Sequence, residues 1–82
     1  MARMTVDGFD ALDRQLESLL DRKNVRRTPD ASGAIISKVY PGLEYPVYDR
    51  RTSESGIEYY YVWVEDDSVW GWISSSVADL VN

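Results

Sequence analysis

One run of sixteen residues, Glu58 to Ile73 (EYYYVWVEDDSVWGWI), constrains this chain more than any other. Tyr, Val, Trp and Ile dominate both of its ends, and β-branched and aromatic side chains suit a pleated, half-buried surface. The polar quartet Glu65, Asp66, Asp67 and Ser68 in the middle supplies turn chemistry. A β-hairpin with that quartet as its loop sets Val64 opposite Val69, Trp63 opposite Trp70, Val62 opposite Gly71, Tyr61 opposite Trp72 and Tyr60 opposite Ile73. Side chains alternate faces along a strand. One face then carries Tyr60, Val62, Val64, Val69, Gly71 and Ile73, and the other carries Tyr59, Tyr61, Trp63, Trp70 and Trp72. A slip of one residue would mix the two sets, so the register is well specified. Antiparallel sheets commonly keep one face polar. A hairpin apolar on both faces needs a cover over the second face, or uses it for binding.

Length and composition limit what can surround the hairpin. Eighty-two residues make at most one domain. A chain of this size buries roughly 60% of its unfolded surface. With neither Cys nor His, disulfides, thiolate and imidazole catalysis and most structural zinc sites are excluded. No apolar run reaches the length of a signal peptide or a membrane span, which predicts cytoplasmic synthesis without export. A virion-associated phage protein released by lysis would share these features. A net charge of −5 argues against nonspecific binding to nucleic acid or to an anionic membrane. The charge is uneven. Residues 22–27 (RKNVRR) hold four cations, whereas from Thr28 onward nine acids face only Lys38, Arg50 and Arg51. That pattern is either a solvated surface or an acidic one aimed at a basic partner.

Residues 1–6 read as a lead-in, followed by an amphipathic helix from Asp7 to Lys23. Asp7 is the N-cap, acids cluster near the helix start, and Arg22 and Lys23 lie at its end. Phe9, Leu12, Leu16, Leu19 and Leu20 form its apolar stripe. Asn24 suits the left-handed residue that ends a helix. Val25 then starts a short extended piece, and Thr28 to Gly33 is a loop. Ile35 to Tyr40 is a strand closed by a Pro41-Gly42 turn. Tyr45 to Arg50 is a second strand, with Pro46 marking an edge or a strand start. Arg51 to Gly56 is a polar loop before the hairpin. A 3₁₀ turn at Ser74-Ser75-Ser76 and a closing strand from Asp79 to Val81 finish the chain. Five or six short strands with frequent turns predict a mainly β fold: a small barrel preceded by one helix.

From Lys23 to the C-terminus the chain resembles bacterial Src-homology-3-type (SH3-like) domains. The residues that carry the resemblance are Asn24-Val25-Arg26, Pro29, Gly33, Ile35-Ile36, Val39, Gly42, Val47, Tyr59-Tyr60-Tyr61-Val62, Gly71-Trp72-Ile73 and Leu80. The chain departs from the pattern at Tyr59, where the family usually has Trp, and in having aromatics on both faces of its strands. The resemblance implies an SH3-like barrel of five or six strands over residues 24–82, with no catalytic residues of its own; the helical segment over 1–23 is not part of the family's core pattern. It implies a groove between the loops Thr28–Ala34 and Arg51–Ile57 with Tyr59 beside it, and peptide or cell-wall peptidoglycan as ligand. Residues 1–20 also resemble the start of phage head–tail joining and tail-completion proteins, through Val6, Gly8, Phe9, Asp10 and Leu12. Those proteins often open with a short strand that leads into an amphipathic helix.

The candidate binding residues are Tyr40, Tyr48, Tyr59, Tyr61, Trp63, Trp70 and Trp72. The five on the hairpin could stack on a sugar or a peptide, or lie beneath the helix stripe as a second small core. Tyr40, Tyr45 and Tyr48 could line the groove or be half-buried structural rings. Glu65-Asp66-Asp67 lacks calcium-loop spacing and reads as a solvated turn. The cations of 22–27 could meet phosphate or an acidic protein, or close helix-end carbonyls. Ser74-Ser75-Ser76 has no base in the chain to activate it, and nothing places two carboxylates in one apolar cleft. No metal or cofactor is expected, and the function expected is noncatalytic. The leading reading is a protein-interaction or assembly module of phage or prophage origin, acting through the groove or the helix. A peptidoglycan-binding module is the alternative, and a small acidic inhibitor of a nucleic-acid-binding host protein is a third reading. A homo-oligomer through the helix fits the first.

Overall fold

The computed structural model of the chain describes residues 2–6 and 22–81. The helix expected over Asp7–Lys23, with its stripe of Phe9, Leu12, Leu16, Leu19 and Leu20, lies outside the described residues apart from Arg22 and Lys23. The described residues form eight strands: β1 (Arg3–Val6), β2 (Lys23–Arg26), β3 (Ile35–Val39), β4 (Glu44–Pro46), β5 (Asp49–Thr52), β6 (Glu58–Val64), β7 (Val69–Ser74) and β8 (Ala78–Val81). They make two antiparallel sheets, ordered β4-β1-β8 and β3-β2-β7-β6-β5. The fold is mainly β, as expected, with eight strands among the described residues where five or six were expected.

The hairpin forms in the register that alternation dictates. Val64 pairs with Val69, Trp63 with Trp70, Val62 with Gly71, Tyr61 with Trp72 and Tyr60 with Ile73. Glu65–Asp67 make one 3₁₀ turn, and Ser68 (φ 51°, ψ 46°) takes the left-handed conformation that returns the chain into β7. The Ser37 hydroxyl donates to the Asp67 carboxylate and ties this tip to β3. Beside the hairpin, Gly71 meets β2 so closely that a Cβ there would overlap the Val25 side chain.

The inner face of the hairpin, with Tyr60, Val62, Val64 and Ile73, packs against Val25 and Val39 of the same sheet and Met4, Val6 and Ala78 of the other. Burying these aliphatic side chains is the main term holding the two sheets together.

Several expectations require correction. Residues 3–6 are not a lead-in: β1 is the central strand of the smaller sheet, and Met4 and Val6 are fully buried. Lys23 and Asn24 belong to β2 rather than to a helix end, because the strand delivers Val25 into the core. The strand expected over Tyr45–Arg50 is two, β4 and β5, which belong to different sheets. The chain bends between them at Val47, which is buried in the core. The 3₁₀ turn lies at the hairpin tip and not at the serines, where Val77 N donates to Ser74 O in a single turn. No helix among the described residues is long and apolar enough to cross a membrane.

Candidate functional site

The feature with the most chemical character is the outer face of the larger sheet. Alternation places Tyr61 and Trp63 of β6 and Trp70 and Trp72 of β7 on the side away from the aliphatic core. Tyr48 joins them from the bend before β5: its amide donates to Tyr61 O at 2.9 Å, and its neighbour Val47 turns inward. Trp70 is the hub. Its ring stacks on Tyr61 (centroids 5.2 Å apart, planes at 15°), takes Tyr48 edge-on (4.9 Å, 84°) and touches Trp63 at a tilt (5.3 Å, 53°). Tyr61 in turn contacts Trp72 at 4.7 Å. Each such pair contributes about 0.5–1.5 kcal/mol beyond its buried area. The rings therefore brace one another, yet Trp70 is 43% and Tyr48 50% exposed.

Charge borders this cluster on two sides. Across the sheet, Asp49 of β5 pairs with Tyr61, Tyr61 with Trp72, and Trp72 with Arg26 of β2. One row therefore reads Asp49–Tyr61–Trp72–Arg26, with an acid at one end and a cation at the other. The Asp49 carboxylate accepts from the Arg51 guanidinium at 3.2 Å, and Arg26 donates one N–H to Gly33 O at 2.9 Å. Asp49 did not stand out in the sequence as part of a site, and Arg26 did so only as one of the cations of 22–27, with no link to the aromatic residues. Only the pairing of β5 and β2 with the hairpin sets them in one row with the rings, and the β2 pairing joins distant parts of the chain.

The other candidates separate. Tyr59 was expected beside a groove as a binding residue; it is 4% exposed. Its pairing with Ser74 puts it on the outer face, where its ring lines a cleft with Arg26, Ala31 and Ser76 instead of joining the aromatic cluster. Tyr40 lies under the Arg22 guanidinium, 5.6 Å from the ring centroid, and is not part of the cluster. Burial, and then the Asp66 charge, push the Tyr45 phenol above its ordinary pKa. A groove does run between the two expected loops, lined by Pro29, Asp30, Ala31 and Ser32 on one side and Thr52, Ser53, Glu54 and Ser55 on the other. Among the described residues its lining is small, polar and acidic, with no aromatic ring. Asp30 is occupied within its own loop: hydrogen bonds from Ser32 and Thr28 hold its carboxyl below the usual pKa. Among the described residues no cluster of acids could hold a metal ion.

Comparisons with known protein families, with characterised proteins and with solved structures find no match. The chemistry of this chain therefore rests on its own geometry. A partly exposed block of mutually packed indole and phenol rings, bordered by opposite charges, is suited to contact.

Proposed function

We propose that this protein is a noncatalytic interaction module that contacts a protein partner through the Tyr48–Tyr61–Trp63–Trp70–Trp72 face, carried on a small barrel of the Src-homology-3 type. The exposure of Trp70 and Tyr48 within a locked ring cluster carries the functional reading. Protein interfaces are enriched in Trp and Tyr, and truncating such anchors is what most weakens binding. Rings already held in place lose little conformational entropy on association. The barrel reading is supported by β8 pairing with β1 and by the two loops that flank the groove. A role as a phage or prophage assembly component draws support from the short strand at Arg3–Val6, which the second resemblance implies.

Peptidoglycan binding is the weaker reading because of the ring geometry. Sugars pack on open ring faces, whereas the Trp70 indole is stacked on Tyr61 and contacted by Tyr48 and Trp63. A photoreactive phenylalanine analogue at Tyr48, placed in the cells or particles that make the protein, tests the choice. The expected product is a protein adduct that weakens when Trp70 is replaced by Ser and is missing when the probe sits at Leu43, exposed but on another surface. Retention on purified peptidoglycan without any protein adduct from Tyr48 would overturn the proposal.

A further inference from the structure

The partner of the aromatic face follows from its charge pattern, if the face is a protein-contact surface as proposed above. We infer that it is a second copy of this chain, docked face to face about a two-fold axis running along the strands between β6 and β7. The row Asp49–Tyr61–Trp72–Arg26 has that line as its midpoint, because β5 neighbours β6 on one side and β2 neighbours β7 on the other. Strands lie about 4.8 Å apart, so Asp49 and Arg26 stand about 7 Å from the line on opposite sides. Rotation about it brings Arg26 of each copy over Asp49 of its partner, and Trp72 over Tyr61. The surface is self-complementary, as an isologous contact requires. A two-fold axis running across the strands would instead set Arg26 against Arg26 and Asp49 against Asp49, so charge selects the first arrangement.

Both charged groups have capacity to spare among the described residues. Of the five N–H donors of Arg26, the bond to Gly33 uses one. The Asp49 carboxylate accepts from the Arg50 amide and from Arg51, which leaves lone pairs on both oxygens for a further donor. Two sheets packed face to face sit about 10 Å apart, with strands within roughly 30° of alignment. At that spacing ring side chains from the two copies interdigitate. The second face of the hairpin then gains the cover that an antiparallel sheet apolar on both sides needs.

A charge swap between copies provides the test, read by sedimentation equilibrium of the full chain from low micromolar to millimolar concentration. The native protein is expected to dimerise. Asp49→Arg sets a cation against Arg26 of the other copy, and Arg26→Glu sets an acid against Asp49. Each variant alone should therefore dissociate at least about tenfold more readily. Mixed in equal amounts, the two variants retain one native pair and gain one reversed pair, both attractive, and should form a heterodimer of near-native affinity. Trp70→Ser, which removes the hub of the ring cluster, should abolish the dimer while the chemical-shift dispersion of Val62 and Ile73 in the core is retained. If Arg26→Glu disturbs the 27–34 loop, Asp49→Arg and Trp70→Ser decide the matter. A native protein monomeric throughout, a dimer indifferent to Trp70→Ser and Asp49→Arg, or two folded variants that do not rescue each other would overturn the inference. A monomer whose Tyr48 probe still captures a different protein would overturn the dimer alone and leave the interaction module standing.

Discussion

At the scale of single residues, two positions decide more than their size suggests. Gly71 lets β2 approach β7, and this contact brings Arg26 beside Trp72. Gly71→Ala should therefore destabilise the protein by about 1–3 kcal/mol through overpacking against Val25, seen as a lower urea midpoint. Tyr60, in the core, has its phenol pKa raised, first by burial and then by the Glu58 charge. The fold thus favours the neutral phenol. A raised pKa contributes stability that is intact below the unfolded value, about 10, and lost as pH rises through the folded value. Melting temperature should fall as pH climbs above about 10, and Tyr60→Phe should flatten that fall. A slope unchanged in the Phe variant would show that Tyr60 does not carry it. Both positions were visible in the sequence only as members of one hairpin face. Val25, which meets Gly71, and Met4 and Val6, which share the core with Tyr60, come from far along the chain.

At the scale of elements, the β6–β7 hairpin is the one unit whose geometry local pattern specifies. Its strands adjoin in sequence, the quartet between them forms the turn, and the strict alternation of aliphatic and aromatic residues punishes a slip. Ser68 takes a left-handed conformation at the tip, which costs a residue with a Cβ roughly 1–2 kcal/mol. Ser68→Gly should relieve part of that cost and raise stability by up to about 1 kcal/mol, measured as a higher denaturation midpoint. The edge strand β5 (DRRT) is exposed along its whole length and laced with charge: Arg50 meets Glu58 with two bonds of 3.0 Å, and Arg51 meets Asp49. Such exposed pairs contribute little to stability, typically below about 1 kcal/mol. Charge on an edge strand does discourage pairing with another chain along its backbone. That favours association through the ring-bearing face over growth from this edge.

At the scale of the molecule, β1 matters most. Four residues near the N-terminus hold the smaller sheet together, pairing with β4 on one side and β8 on the other. Met4 is fully buried among the core side chains. Met4→Ala should cost about 2–5 kcal/mol, as for other large-to-small core changes. Removal of residues 1–6 should unfold the domain, as read by loss of the chemical-shift dispersion of Ile73 and Val62. Full stability after that truncation would show that β1 is an accessory.

Alternation within Glu58–Ile73 determined the hairpin, its register and the division into an aliphatic and an aromatic face, because each rests on contacts between residues close along the chain. The absence of Cys and His likewise settled which chemistries were closed. The roles of β1, β4 and β5 came only from the tertiary structure: short strands such as RMTV and DRRT carry little signal of their own and are stabilised by partners about forty or more positions away, or by a neighbouring hairpin. The fate of each aromatic was decided there too. Tyr59 and Tyr61 look alike in sequence and share a face, yet one is buried beside a cleft and the other joins the exposed cluster. Which ring is covered depends on the loops and strands that arrive from elsewhere, and alternation carries no information about them.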